Sequence, residues 1–417
     1  MLSKLSVITA LVTIGLISYS VNSINFDQIE TKLRNFRQTI ENSKTFQNIQ
    51  NDPNLNPIKV LDDVQRKKYT LNMDPNIPEI YSLSSWISDL KTNPKLGSLK
   101  INQLALPGAH HAGLTNVITN ETVISSMFDK IGLQATYKEK ESDKQFIQST
   151  VNSLFVPHRH DIDDMLFLGA RYLDLKVATD QTKPSQVYLA HCLLSNITLQ
   201  SALISINKFI KKNPGEIIII DVSQAYYPLG NSGGQVSSYL LDSIIRENID
   251  PQYILTRQSV SKPISSYGGV YITGYTSQIF STIVLKSSWQ LTKGDNSMQV
   301  VTNLKNYYES GAYVKQQPLD YDFLKSNTYL TPSETTLQQT VIQEADSEGR
   351  QFPLDPLVSA EYIPADNIQS SRLTNPLFFN TLNRSPKMYQ ALSIIEMADF
   401  NSGDSIRVIQ LNINRHF

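Results

Sequence analysis

Residues 198–222 read TLQSALISINKFIKKNPGEIIIIDV, and this stretch favours one fold class over the others. Thr198 is a typical N-cap residue, and apolar residues then recur over 199–210 at the spacing of one helix face. The Asn-Pro-Gly sequence at 213–215 ends that helix. Four consecutive isoleucines follow within Glu216–Val222, which is typical of a strand buried on both faces. The stretch therefore predicts a helix that leads into a buried parallel strand.

The same alternation continues on both sides of this stretch. Further strands are predicted at Asn102–Leu106, Ala170–Val177, Val187–Ala190, Gly269–Gly274 and Leu392–Phe400, and further helices at Ser238–Glu247 and Ser405–Asn412. Residues 124–157 and 276–390 show no clear period and are expected to hold long loops. Strands that alternate with helices over more than 300 residues indicate an α/β fold with parallel strands.

The first 23 residues have the pattern of a secretory signal peptide. Lys4 precedes an apolar run over 7–17, and small residues lie at the expected cleavage position. We therefore expect a protein that is secreted or lies in the lumen of the secretory pathway. Three glycosylation sequons, at Asn120, Asn196 and Asn383, agree with this, although a single cysteine allows no internal disulfide.

The chain as a whole divides into three predicted parts: a signal peptide at 1–23, a helical N-terminal extension and linker at 24–79, and a catalytic domain at 80–417. Apolar residues recur at helical spacing over 24–50, and the proline-containing stretch 51–77 reads as a linker. Charge is balanced, with 37 basic and 38 acidic residues, so a nucleic-acid partner is not expected.

Polar residues follow three of the apolar segments, at the place where active sites lie in α/β barrels. The segments are LALPGAHHAG at 104–113, GARYLDLK at 169–176 followed by YLAH at 188–191, and IIEMADF at 394–400 followed by Gly403-Asp404. Another polar stretch, His158-Arg159-His160-Asp161, has no clear ligand spacing and is interpreted as a loop.

In order and spacing, these motifs resemble the X domain of phosphatidylinositol-specific phospholipases C, in its bacterial and X-domain-only branch. The resemblance spans about residues 84–412. It implies a distorted (β/α)8 barrel of the TIM type, a phosphodiesterase fold, behind the N-terminal extension. It also implies an inositol phospholipid as the substrate, at a membrane surface.

The resemblance also implies a role for each site residue. His110 matches the general base, His191 the general acid, and Asp399 the carboxylate that orients the base. Lys176 takes the place of an arginine that clamps the phosphate. Asp174 matches a supporting carboxylate, although a salt bridge to Arg171 is an equal alternative.

Two residues depart from the family pattern. His111 stands where the family has aspartate, and we expect it to contact the substrate. Lys176 replaces arginine, so a planar fork becomes a point charge. A lysine in the site supplies positive charge and would repel calcium, so neither a metal nor another cofactor is expected.

The predicted reaction is cleavage of phosphatidylinositol, or of a glycosylated relative, to diacylglycerol and a cyclic inositol phosphate. Two alternatives stay open. One is a degenerate X domain that binds inositol lipids without turnover, an interpretation that His111 and Lys176 support. The other is a glycerophosphodiester phosphodiesterase, which shares the barrel but would need a set of acidic metal ligands.

Overall fold

The computed structural model describes residues 80, 82–118, 155–180, 182–191, 193–224, 236–288, 291, 297–313, 321–328 and 367–416. Contacts divide the chain into two units, Met1–Ser82 and Leu83–Phe417. The second unit holds the motifs and is the one described below. The predicted signal peptide, the helix at 24–50 and the linker at 51–77 lie outside the described residues, so the three-part division stays a prediction.

Nine strands and nine α-helices make up the described part of the second unit. The strands are β1 Leu106–Ala109, β2 Tyr172–Asp180, β3 Lys183–His191, β4 Leu193–Thr198, β5 Ile217–Gln224, β6 Gly269–Thr273, β7 Leu285–Ser287, β8 Phe323–Asn327 and β9 Ile394–Met397. The helices are α1 Trp86–Lys91, α2 Pro94–Gly97, α3 Ile162–Phe167, α4 Leu199–Lys212, α5 Ser238–Asn248, α6 Ser297–Glu309, α7 Asn367–Leu382, α8 Pro386–Ala391 and α9 Ser402–His416. Within this part of the chain, no helix combines the length and apolar character needed to cross a bilayer.

Seven of these strands form one parallel sheet, in the order β6-β5-β2-β1-β9-β8-β7. The α/β class predicted from the sequence is thereby confirmed. β3 and β4 differ from the expected pattern, because they extend β2 as antiparallel strands. The connections on either side of β3 are only one or two residues long, and such short links can join only antiparallel strands.

The sheet curls so strongly that strands far apart in its order touch across its interior. In the sheet order β8 is separated from β5 by β9, β1 and β2, which would place them about 19 Å apart in a flat sheet. Nevertheless Lys325 Nζ on β8 lies 3.7 Å from Asp221 Oδ2 on β5. Near the two edges, Ile283 N donates to the carbonyl of Ile272 on β6, two residues before β7 begins. This curvature is that of a barrel, as the family resemblance implied.

Alternation along β2 separates the interior of the barrel from its surrounding helices. Tyr172, Asp174 and Lys176 share one face of the strand. Their register neighbours on β5 are Ile219, Asp221 and Ser223. The intervening apolar residues Leu173, Leu175 and Val177 belong to the main hydrophobic core. Charged groups therefore lie inside the barrel while apolar groups face the helices.

Several predicted elements are confirmed, and one predicted strand is not. α4 and β5 match the stretch at 198–222, with Thr198 Oγ1 accepting from Ser201 N at 3.1 Å as the helix cap. The strand predicted at Asn102–Leu106 was wrong, since Ile101–Gln103 forms a 3-10 turn and β1 begins at Leu106.

β1 continues through Pro107 because that residue loses no ladder bond to β2. Pairing between the two strands starts only at Gly108, opposite Tyr172. The carbonyl of Pro107 still accepts from Arg171 N at 2.8 Å. Gly108 also allows close packing, because a β-carbon there would lie 2.9 Å from the Tyr172 ring.

Candidate active site

The structure brings five of the six predicted site residues into one cluster at the upper end of the barrel. His110 and His111 directly follow β1, Asp174 and Lys176 lie on β2, and His191 ends β3. The rings of His110 and His111 have centroids 3.9 Å apart, and those of His110 and His191 lie 6.2 Å apart. Residues separated by up to 81 positions in the sequence thus share one site.

His191 reaches this cluster by a route that the sequence did not predict. β3 runs antiparallel to β2, with Leu189 opposite Val177. Continuing that register sets His191 level with Leu175, one residue from both Asp174 and Lys176. The hairpin therefore extends beyond the barrel and folds back, so that its last residue returns to the site.

Two carboxylates hold the δ nitrogen of His110. Glu396 Oε1 lies 2.8 Å from Nδ1, and Asp174 Oδ2 lies 3.2 Å from it. Both carboxylates are almost completely buried. Carboxylates in this position fix the tautomer of an imidazole and stabilise its protonated form, as in a catalytic triad.

Asp399 was expected to orient His110, and two other carboxylates are found at that ring. The carboxylates that lie against His110 Nδ1 belong to Glu396 and Asp174. Asp399 itself lies two residues after β9, in a left-handed conformation with φ of 47°, and its backbone N–H donates to the carbonyl of Pro157 at 2.9 Å. A site role for the Asp399 side chain stays a prediction.

Asp174 faces the site and does not pair with Arg171. Its Oδ1 lies 2.9 Å from Lys176 Nζ, whereas Arg171 pairs with Glu216 at 2.7 Å in the buried base of the barrel. Burial works to raise the pKa of Asp174, but Lys176 and the hydrogen bond from His110 hold it well below its usual range. Asp174 is therefore an anion that contacts both His110 and Lys176.

Lys176 carries a firm positive charge at the rim of this network. Burial works to lower its pKa, but the carboxylates of Asp174, Asp221 and Glu396 together raise it. Its ammonium also donates to the hydroxyl of Ser223. Its side chain is 16% exposed, so it lies beside any anion that enters from this end of the barrel.

A second lysine, Lys325 on β8, lies deeper in the barrel. Its Nζ is 2.7 Å from Glu396 Oε2 and 2.8 Å from the hydroxyl of Tyr172. The same Glu396 oxygen accepts from Asn327 Nδ2 at 2.7 Å. Burial works to lower the pKa of Lys325, but the carboxylates of Glu396 and then Asp221 raise it. Lys325 thus holds Glu396 in the orientation that presents Oε1 to His110.

The described network contains one more carboxylate than ammonium group. The acidic members are Asp174, Asp221 and Glu396, and the basic members are Lys176 and Lys325. Two ammonium groups leave one negative charge in a buried environment, where an uncompensated charge is costly. The His110 ring, which contacts two of these carboxylates, is the neighbour on which that negative charge acts most directly.

His111 and His191 form a stacked pair beside this network. Their centroids are 4.0 Å apart with 21° between the ring planes. Burial, followed by the charge of His110, lowers the pKa of His191 to about 4 and that of His111 well below its usual value. His111 Nδ1 has no hydrogen-bond partner among the described residues. Both rings are therefore neutral near pH 7 in the free protein.

The left-handed backbone of His111 is a second mark of this site. Its φ is 46°, a conformation that costs a non-glycine residue free energy and tends to occur at functional sites. His111 N donates to Asp174 Oδ2 at 3.4 Å, a long contact that follows from this turn. Because of this turn, His110 contacts Glu396 while the next residue, His111, stacks on His191.

Three side chains of the cluster could also offer ligands to a metal. Ligand atoms of His110, His111 and Asp174 lie within 4.8 Å of one another. Glu396 already bonds to His110 Nδ1, and Lys176 Nζ is 2.9 Å from Asp174. A divalent cation would meet that ammonium at close range, so the donor set fits a metal poorly. Metal independence stays a prediction.

Sequence reasoning missed Glu396, Lys325, Tyr172 and Asp221 as parts of the site. Glu396 had a visible signal, since it is the one acidic residue within the apolar run IIEM at 394–397. Lys325 lies in FLKSN at 323–327, within a region without a clear period. A buried lysine of this kind gives no local signal, because its partners lie on other strands.

Comparisons with known proteins agree with the resemblance read from the motifs. No family model matches the chain. The chain is 24% identical over 142 residues to PI-PLC X domain-containing protein 1 of Danio rerio, which is 33% of this chain and 43% of that protein. The match thus spans less than half the length of the relative.

Solved structures of two bacterial enzymes are also similar. Phosphatidylinositol-specific phospholipase C from Listeria monocytogenes is 13% identical with a TM-score of 0.49, covering 79% of this chain and 98% of the other. A point mutant of the enzyme from Staphylococcus aureus is 10% identical with a TM-score of 0.49, covering 79% and 97%. The α/β fold rests on the sheet itself, and not on these scores. The motifs and the curated match together confirm the predicted similarity to phosphatidylinositol-specific phospholipase C X-domain proteins.

Proposed function

We propose that this protein is a phosphoric diester hydrolase or lyase that cleaves phosphatidylinositol, or a glycosylated inositol phospholipid, without a metal. The observation that carries the proposal is the pair of rings His110 and His191, whose centroids are 6.2 Å apart. Two buried carboxylates hold the His110 ring. Two imidazoles at this separation can serve the entering and the leaving oxygen of one phosphorus atom. The similarity to X-domain proteins supports the same class of substrate.

His110 is the general base in this proposal. It removes the proton from the inositol 2-hydroxyl, whose oxygen then attacks the neighbouring phosphorus. Glu396 and Asp174 stabilise the imidazolium that forms.

His191 is the general acid, and Lys176 stabilises the phosphoryl oxygens. Because the pKa of His191 is about 4 in the free protein, it needs a nearby anion to gain its proton. A bound phosphodiester supplies that negative charge and favours the protonated ring. The ring then gives its proton to the departing diacylglycerol oxygen, so that the P–O bond breaks as the cyclic ester forms. His111, stacked on His191, would form the adjoining wall of the substrate site.

The test is to incubate the purified protein with phosphatidylinositol vesicles in excess EDTA and identify the water-soluble product by phosphorus NMR. We expect a cyclic inositol phosphate first, because the nucleophile belongs to the substrate. His110→Ala and His191→Ala should each remove most of the activity. A loss of turnover in EDTA that added calcium restores would contradict the metal-free mechanism.

A protein that binds inositol lipids without turnover is the second candidate. The observation in its favour is the neutral, stacked pair of His111 and His191. The His111→Asp, Lys176→Arg double variant rebuilds the family pattern. If neither the natural protein nor this variant cleaves any inositol lipid, while both bind the vesicles, the binding protein is the better interpretation.

The predicted secretion forms part of the same proposal, since lipid cleavage outside the cell or in the secretory lumen needs an exported chain. The signal pattern at 1–23 supports it. The mature protein should begin near Ile24 and carry glycan at Asn120 or Asn196, and N-terminal sequencing checks the start. Retention of Met1 on a cytosolic protein would refute it.

A further inference from the structure

One segment beside the active site has no part in the mechanism above. Residues 155–158, Phe-Val-Pro-His, precede α3 and are named here the 155–158 strap. The strap hydrogen-bonds to three of the elements that carry the site. The carbonyl of Phe155 accepts from His191 Nδ1 at 3.0 Å, and the carbonyl of Pro157 accepts from Asp399 N at 2.9 Å. The His158 ring bonds at both nitrogens: Nδ1 accepts from Phe400 N at 3.2 Å, and Nε2 is hydrogen-bonded to the carbonyl of His110.

The His158 ring lies just beyond the end of the hydrogen-bond ladder between β1 and β9. The last ladder bond joins His110 N to the carbonyl of Met397 at 2.9 Å. Beyond it both chains turn, with left-handed backbone at His111 and Asp399. The His158 ring then joins His110 to Phe400 across this opening, and it is 1% exposed.

The partners of His158 determine its tautomer. Phe400 N–H is a donor, so Nδ1 must accept and carry no proton. The His110 carbonyl is an acceptor, so Nε2 must carry the proton. Both requirements are met by the same neutral ring. Burial, the largest effect, lowers the pKa of His158 to about 3, so this state holds at neutral pH.

Phe155 determines the tautomer of His191 in the same way. A carbonyl oxygen can only accept, so His191 Nδ1 carries a proton. The ring atom that gains or loses a proton is then Nε2. A general acid needs its proton on one defined nitrogen, and a backbone carbonyl on the other nitrogen provides that definition.

We propose that the 155–158 strap positions both catalytic histidines, and that His158 is a positioning residue for His110. The inference rests on the proposed function. The strap determines which ring nitrogen of His191 carries the exchangeable proton. His158 bonds both to His110 and to Phe400, so it holds the turn after β1 against the end of β9. Glu396 lies on β9, so this clamp sets the geometry between the base and its carboxylate.

Three substitutions of His158 separate its two hydrogen bonds. His158→Gln can keep a donor near Nε2, His158→Asn can keep an acceptor near Nδ1, and His158→Ala keeps neither. Since a displacement of about 1 Å can cost about 100-fold in rate, we expect His158→Ala to lower kcat on phosphatidylinositol vesicles by about that factor, with KM little changed. His158→Gln should retain the most activity, because it keeps the bond to His110.

Asn412→Ala is the matched control at the opposite end of β1. Asn412 is buried and bonds to both backbone groups of Ala105, accepting from N at 2.5 Å and donating to O at 2.8 Å. Its loss should lower thermal stability as His158→Ala does, yet leave kcat well below the melting temperature unchanged. If both variants lose kcat in proportion to their stability, His158 is only structural and the proposal fails.

A second measurement does not depend on activity. The chain has six histidines, so their ring nitrogens can be resolved by ¹⁵N NMR of histidine-labelled protein. We expect His158 as the Nε2–H tautomer and His191 as the Nδ1–H tautomer. In His158→Ala the His110 resonances should shift. Finding His158 as the Nδ1–H tautomer and His191 as the Nε2–H tautomer would overturn the proposed role of the strap, even in a protein that cleaves no lipid. Correct tautomers in a protein without turnover would refute only the proposed function.

Discussion

Glu396 shows how one residue within a strand can decide the chemistry of a neighbour. One of its oxygens lies 2.8 Å from His110 Nδ1 and the other 2.7 Å from Lys325 Nζ. Glu396 therefore connects the buried Lys325 ammonium to the His110 ring. A neutral amide in its place keeps the shape but loses the charge that stabilises the imidazolium.

We therefore expect Glu396→Gln to lower kcat/KM by about 100-fold or more, as the loss of a charge-stabilising group does. Asp399→Asn should cost much less. Steady-state cleavage of phosphatidylinositol by both variants checks this, with unfolding measured in parallel. If Asp399→Asn is the more damaging change, Asp399 and not Glu396 orients the base.

Lys176 is the other residue whose chemistry can be isolated. Lys176→Arg should preserve or raise turnover, because a planar guanidinium can hold two phosphoryl oxygens at once. Lys176→Met should lower kcat by about 100-fold, as for other groups that stabilise an oxyanion. Lys211→Met, which removes a half-exposed surface charge, is the control. An unchanged rate in Lys176→Met would place the phosphate elsewhere.

At the scale of elements, the curl of the sheet is what allows β8 to complete the site. Lys325 reaches Tyr172 on β2 and Glu396 on β9, two strands that are not adjacent in the sheet. The lysine, the tyrosine and the carboxylates thus form a buried layer that joins opposite walls of the barrel. The layer stabilises the site only while both signs of charge are present.

Breaking this layer should be costly. Lys325→Met should lower the free energy of unfolding by about 3–5 kcal/mol, because Glu396 is left as an uncompensated buried charge. The Lys325→Met, Glu396→Gln double variant should recover part of that loss. Denaturant unfolding of the two single variants and the double variant gives the coupling directly. Losses that simply add would mean that the two side chains do not interact.

At the scale of the whole molecule, buried neutral histidines make the free energy of unfolding depend on pH. The pKa of His158 falls from 6.5 to about 3 on folding and that of His191 from 6.5 to about 4, in both cases mainly through burial. Between those values the unfolded chain binds more protons than the folded chain. The free energy of unfolding therefore rises with pH through this window. The contribution is complete above pH 6.5 and is lost as the pH falls towards the folded values.

We expect stability to decline from about pH 6.5 to about pH 4 by as much as about 1.4 kcal/mol per pH unit for each such histidine. Urea unfolding at closely spaced pH values measures the slope. His158→Gln removes one titrating group, so its slope should be smaller than that of the natural protein. Equal slopes would show that His158 takes up its proton equally well in both states.

The sequence by itself determined the fold class and much of the candidate site. Helix caps and the isoleucine run depend on neighbours in the chain, and they predicted α4 and β5. The alternation of strands with helices predicted the α/β class. The motif resemblance placed His110, His191, Asp174 and Lys176 in one site, and the structure brings them together. Each single motif can be read locally, because it depends on residues a few positions apart.

Only the tertiary structure decided which groups act on those residues. Glu396, Lys325 and His158 meet around His110 because strands from distant parts of the chain curl around one interior, and no sequence spacing encodes that distance. The same holds for His191, which arrives on an antiparallel hairpin. Electrostatic and hydrogen-bond partners depend on separation in space, so the partners of a buried charge follow from the packing of the barrel and not from the order of its residues.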